Sequence, residues 1–266
     1  MKRGLGPLET TLLAYGQMRG LPTVRVGELR AALRLSPIQE RGLLNRMARA
    51  GLLPRVWRGL YLLPPRLPLG GKWSPDEALA LSALMTSQEA RYQVCGPNAF
   101  NRYGFDDQVP NRVYAYNDRL SGERTVGAVA LTLIKVGAKR LGDTEETRTA
   151  DDLTVPYSSR ARTLVDAVYD WSRFNALPRA FEWIRAELAE KRVGAAELVR
   201  ITLRYGDVGT IRRIGALLDR NGAPDTLLRR LQRALKPTSG LIAWNPASPK
   251  RGSVDRRWGV VWNDRA

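Results

Sequence analysis

Apolar residues near the N-terminus recur at helical spacing. Leu8, Leu12, Leu13 and Tyr15 fall on one arc, which predicts a helix over residues 7–18 that Gly20 ends. Val26, Leu29, Ala32 and Leu33 predict a second, short helix over residues 27–33. In "RLSPIQ", Ser36 is a natural N-cap, Pro37 suits the first helical position and Gln39 completes a capping box. The third helix then runs to about residue 50, with Gly51 as its stop. Along it Leu43, Leu44, Met47 and Ala50 share an arc, with Glu40 at the edge. Arg41, Asn45 and Arg49 lie opposite, joined by Ile38, Gly42 and Arg46. "LLPRV" and "GLYLL" next predict two short strands with a tip over residues 55–59. Three short helices and a hairpin make the pattern of a winged helix-turn-helix.

"PPRLPLGGKW", residues 64–73, breaks any regular element and predicts a boundary between domains at 1–66 and 72–266. After it, Ser74, Pro75 and Glu77 predict a capped helix to residue 87. A strand over 92–95 turns at Gly96-Pro97 into a helix through Tyr103. "RVYAYN" and "VALTLIKV" alternate as strands, and the polar "GDTEETRTADD" reads as a loop. "LTVPYSSRARTLVDAVYDWS" predicts a strand, a turn and a helix with Ala161, Leu164, Val165 and Val168 inward. Residues 177–235 are helical by period, ending in a helix with Leu227, Leu228, Leu231 and Leu235 on one side and Arg229, Arg230 and Arg233 on the other. Two strands around a loop with Lys250, Arg251, Arg256 and Arg257 close the chain. The expected class is α+β: a winged helix, a mixed α/β part to about residue 172, a helical part to about 236, and short terminal strands.

Charge sharpens this picture. The net charge is +17, but residues 1–70 hold 12 Lys/Arg and 3 Asp/Glu, while residues 71–170 hold 12 and 14. Residues 171–266 hold 19 and 9. Two basic blocks around an acidic middle point to polyanion-binding surfaces at the ends. There is no histidine and one cysteine, which removes the commonest general base, any zinc cluster and any disulfide framework. No metal or cofactor is expected. With no apolar run of membrane-spanning length and no signal-peptide pattern, the expected compartment is the cytoplasm, with no membrane partner.

A helix fits the DNA major groove, where Arg grips guanine and Asn pairs with adenine. Ser36, Gln39, Arg41, Asn45, Arg46 and Arg49 are therefore the candidates to face bases or phosphates, and Arg55 and Arg58 to meet phosphates from the wing. Trp57 either stacks on the DNA backbone or packs back on the third helix. The same face also reads as a solvated one, and a winged helix can bind protein. Gly96-Pro97-Asn98 lacks a phosphate-loop pattern and reads as a plain turn. The pairs Asp106-Asp107 and Asp151-Asp152 give the alternative reading, a metal-dependent nucleic-acid-processing enzyme targeted by the winged helix. Arg162 and Asp166 predict an i, i+4 ion pair, Arg160 projects near the helix start, and Cys95 is expected to be buried. The tail loop suits nucleic acid or an acidic protein surface, or is a solvated loop with Asp255 paired to a neighbouring Arg.

Four stretches carry a family resemblance: "RVWRGLYLLP", "YQVCGPNAFNRYGF", "TVPYSSRARTLVDAV" and "NPASPKRGSVDRRWGVVWN". In this order they resemble the AbiEi-type antitoxins of bacterial type IV toxin–antitoxin systems. The resemblance implies a transcriptional autorepressor whose winged helix binds inverted repeats in its own promoter; no enzymatic activity is expected, and dimerisation, free or only on paired half-sites, stays open. It also implies a C-terminal domain that counters a nucleotidyltransferase-like toxin, with or without direct contact. Arg229, Arg230, Arg233, Lys250, Arg251, Arg256 and Arg257 would supply that surface or a second polyanion surface.

Overall fold

The structure, a computed structural model, describes residues 5–66, 72–149, 152–237 and 240–264. It is a mixed α+β protein with several sheets. The chain forms two compact units from interleaved segments: 1–92, 111–141 and 147–155, then 93–110, 142–146 and 156–266. The expected linker falls inside the first unit, and its residues 67–71 lie outside the described residues.

The first unit opens with α1 (Pro7–Met18), β1 (Thr23–Arg25), α2 (Arg30–Leu33), α3 (Pro37–Arg49), β2 (Arg55–Trp57) and β3 (Leu60–Leu62). The strands form an antiparallel sheet in the order β1-β3-β2. Leu12, Leu13, Val24, Leu29, Leu43, Leu44, Met47, Leu53 and Tyr61 close a core between sheet and helices. The capping box of α3 forms as expected: Ser36 Oγ accepts from the Gln39 N–H, and Gln39 Oε1 accepts from the Ser36 N–H. Gly51 takes φ +75° just past α3, where a left-handed residue lets the chain turn into β2.

Several local expectations are corrected. Leu8, Ala32 and Ala50 are exposed, not inward, because α1 and α3 bury narrower stripes than the sequence arcs and α2 is a single turn. Thr23–Arg25 is a strand that adds to the hairpin, so the second helix is shorter than residues 27–33. Glu40 is fully buried. Its carboxylate accepts from the Gly27 N–H at 2.8 and 2.9 Å, the Leu29 N–H at 3.0 Å and Arg30 Nε at 3.1 Å. A buried carboxylate persists when such donors replace its water. Here they tie the turn before α2 to the first turn of α3.

The chain continues with α4 (Glu77–Ser87), β4 (Tyr92–Val94), α5 (Pro97–Arg102), β5 (Val113–Asn117), β6 (Gly122–Val126), β7 (Val129–Lys135), β8 (Thr144–Arg148) and β9 (Thr154–Ser158). Asp76, not Ser74, caps α4, accepting from the Leu79 N–H at 2.8 Å; Ser74 Oγ accepts from the Ala128 N–H at 2.9 Å instead. Strand β6, which no sequence period marked, forms a hairpin with β7, and β7 runs parallel to β5. Thr144–Arg148 is a strand where a loop was expected, because it pairs beside β9.

In the second unit, α6 (Arg160–Tyr169) packs against α8 (Arg179–Ala189), α9 (Ala195–Tyr205) and α10 (Val208–Arg220), with α7 (Trp171–Phe174) and α11 (Asp225–Arg233) completing the helices. Ser159 caps α6 by accepting from the Arg162 N–H. Arg162 and Asp166 form the expected pair, but deep in the core at 0% and 1% side-chain exposure. The Arg162 guanidinium also lies 3.5 Å from the Tyr205 ring centroid. The terminal sheet has three strands where two were expected: β10 (Ile242–Ala243), β11 (Ser253–Asp255) and β12 (Val260–Trp262), in the order β10-β12-β11. Trp244 stacks on Phe181 at 3.6 Å, and the Trp258 indole N–H donates to Asp219 at 2.9 Å.

Candidate nucleic-acid interface

The buried arc of α3 leaves the opposite arc exposed. Ile38, Gln39, Arg41, Asn45, Arg46 and Arg49 all lie on it, and Ile38 is 84% exposed. Gly42 adds no bulk between the long side chains. Three of the expected contact residues on this helix are partly engaged within the protein. Gln39 is held in the capping box with Ser36. Asn45 Oδ1 accepts from the Tyr61 hydroxyl at 3.1 Å, which leaves its amide donors outward and ties α3 to β3.

The hairpin turns at Arg58 and Gly59, with Gly59 at φ +74°. Arg55 and Arg58 are exposed, and Arg55 Nε donates to the Trp57 carbonyl at 3.2 Å. Trp57 is half-buried. Its ring carries the Arg124 guanidinium, 4.6 Å from the centroid, an arrangement that neither sequence expectation for Trp57 included. Nothing local in the sequence signals it, since Arg124 is 67 positions further on, in the unmarked strand β6.

Among the described residues, no carboxylate pairs with Arg41, Arg46, Arg49, Arg55, Arg58 or Arg124. Several arginines elsewhere are matched: Arg112 with Glu123, Arg148 with Asp152, Arg160 with Glu187, Arg179 with Asp106 and Arg200 with Asp143. Arg30 pairs with Glu40, on the turn side of α3.

The C-terminal basic set is partly spent on the fold. Arg229 pairs with Asp225 at 2.6 Å, and Arg257 bridges Asp219 at 3.2 Å and Asp225 at 2.5 Å. The Arg257 contacts hold the Asp225 carboxyl below its ordinary range. Lys250 donates to the Leu241 carbonyl, while Arg230, Arg233, Arg251 and Arg256 are exposed. Asp255 accepts from the Trp258 N–H in a turn and has no arginine partner among the described residues. One member of each acidic pair is likewise engaged. Asp106 accepts from Arg179 and from the Gln108 N–H, and Asp152 from Arg148; Asp151 lies outside the described residues. Among the described residues no cluster of three or more acidic or cysteine side chains could hold a metal ion. Gly96 is a structural turn: a Cβ there would meet the Phe174 ring at 2.5 Å. Cys95 is buried, as expected. No described helix is long and apolar enough to cross a membrane.

No protein-family model matches the chain, and no curated protein sequence matches it. A solved structure does: the crystal structure of the Rv2827c protein from Mycobacterium tuberculosis, with a TM-score of 0.66 and 15% identity over 97% of this chain and 92% of that one. At that identity the likeness is one of fold along nearly the whole chain.

Proposed function

We propose that this protein binds double-stranded DNA through α3 and the β2–β3 hairpin, as a transcriptional repressor of its own operon. The order helix, strand, helix, helix, hairpin suits a winged helix-turn-helix, with α3 as the helix that enters the major groove. The observation that carries the reading is the set of five arginines, Arg41, Arg46, Arg49, Arg55 and Arg58, that are exposed on two adjacent elements and unmatched by carboxylates among the described residues. Keeping like charges together without counter-charges costs stability, and a polyanion removes that cost. Asn45, with its amide donors outward, and Ile38, able to touch thymine methyl groups, would add base contacts.

The resemblance to AbiEi-type antitoxins extends the proposal to antitoxicity against a nucleotidyltransferase-like toxin. The exposed residues Arg230, Arg233, Arg251 and Arg256 are the better candidates for that surface than Arg229 and Arg257, which are committed to Asp219 and Asp225.

A gel-shift titration with the upstream fragment and a scrambled fragment, across a salt series, tests the DNA reading. Neutralising about four to six phosphates predicts promoter-selective binding with a log–log salt slope of roughly −4 to −5. Equal affinity for both probes refutes the repressor reading.

A further inference from the structure

Beside the hairpin lies a cavity of about 630 Å³ whose lining includes Arg55, Lys72, Trp73, Ser74, Thr125 and Gly127. Among the described residues, no acidic side chain lines it. It is bounded by the end of α3, the start of β2 and the β6–β7 turn, all in the first unit. The walls are fixed by backbone and side-chain bonds. The Trp73 N–H donates to the Gly51 carbonyl at 2.9 Å, and Ser74 Oγ accepts from the Ala128 N–H. Lys72 is exposed, and its stem lies over Gly51, where an added Cβ would stand 3.4 Å from Cγ.

Arg124 stands in the strand next to this cavity. Its neighbour Glu123 is drawn away to Arg112. Arg124 Nε is buried without a hydrogen-bond partner, and no carboxylate faces the guanidinium among the described residues. The guanidinium instead rests on Trp57. Stacking fixes the plane of an arginine without consuming its forked donors. A cation so placed loses little conformational freedom when it grips an anion.

We propose that the β6–β7 hairpin is a second DNA-contacting element, in which Arg124 on Trp57, together with Lys72 from the lining of the neighbouring cavity, grips backbone phosphates beside those met by Arg55 and Arg58. The proposal rests on the DNA-binding reading and extends the binding surface beyond the first 66 residues. Its chemistry is phosphate recognition, so it adds affinity and salt dependence and no base preference.

The test is fluorescence anisotropy of the full chain with a 30-bp duplex from its own upstream region, across a salt series. Arg124→Gln and Lys72→Gln are each expected to lower affinity about fivefold at 0.15 M salt and to reduce the slope by about 0.9, as one fewer neutralised phosphate requires. Arg124→Lys is expected to restore the slope, because it keeps the charge. Arg41→Ala/Arg49→Ala serves as the reference for α3. If that variant loses binding while Arg124→Gln and Lys72→Gln keep wild-type affinity and slope, the second element is refuted and the DNA reading stands. An Arg124→Gln variant that weakens binding with an unchanged slope and no rescue by lysine shows a role in folding only, and equally refutes the proposal. If the wild-type protein does not bind the duplex, both readings fall.

Discussion

Removing the Glu40 carboxylate is expected to unlock the turn between α2 and α3. The group has no exposed surface and receives four hydrogen bonds, three from the backbone of Gly27 and Leu29 and one from Arg30. In Glu40→Ala two backbone N–H groups lose their acceptor, at roughly 1–3 kcal/mol for each group left unsatisfied. The Arg30 bond adds less, because Arg30 is 41% exposed and rehydrates. The expected loss is about 3–5 kcal/mol for the first unit. Glu40→Gln keeps one acceptor oxygen, and its amide turned toward Arg30 sacrifices the outer bond, so about 1.5–3 kcal/mol is expected. Hydrogen exchange by mass spectrometry locates the effect. Peptides spanning residues 23–35 should exchange faster in both variants, more so in Glu40→Ala, while peptides over residues 195–220 should keep wild-type rates. Wild-type exchange over residues 23–35 in Glu40→Ala would show that the carboxylate holds nothing, and the account of how α3 is oriented would fail.

The core pair of the second unit supports a contrast between single and double substitution. Arg162→Met and Asp166→Asn should each destabilise by about 3–5 kcal/mol, because each strands a buried partner. Joint replacement by apolar residues of similar volume should recover much of that in denaturant titrations. Acid should also find a weak point. Burial pulls the Asp143 carboxyl upward, but hydrogen bonds from Arg200 and Tyr205, with the Arg200 and Arg204 charges, hold it below its usual value of 3.8. A depressed carboxyl stabilises the fold above that value and loses the contribution as pH falls through its folded pKa. Asp143→Asn should therefore flatten the loss of stability below about pH 4, measured as urea midpoint against pH; an unchanged profile would contradict the assignment.

The helices and the hairpin were legible because their signals are local. The Ser36–Gln39 capping box, the Leu43/Leu44/Met47 stripe and the opposed arginine face of α3 depend on residues within a turn or two of each other. The misses were set by partners distant in sequence. "TEETR" is polar on both faces, so period alone could not mark it as the strand beside β9. Glu40 sat on the edge of an apolar arc, and only the amides of Gly27 and Leu29 explain why a carboxylate belongs inside. Arg257 read as a free cation in a basic loop, whereas α10 and α11 bring Asp219 and Asp225 to it. Arg124 was invisible as a candidate because its aromatic partner lies in another hairpin. The sequence therefore announced which face of α3 is exposed, but not which basic residues folding commits to ion pairs, as it does Arg229 and Arg257.

The most direct measurement compares two double variants on one promoter probe at fixed salt. The account predicts that Arg41→Ala/Arg49→Ala, on the unmatched face of α3, lowers affinity about 30-fold or more, at roughly 1–3 kcal/mol for each arginine–base pairing removed. Arg229→Ala/Arg233→Ala, on α11, should stay within about threefold of the wild-type protein, as expected for residues that neutralise no phosphate. The reverse ranking would contradict the account, placing the DNA surface at the C-terminal end and leaving the α3 arginines as a solvated face.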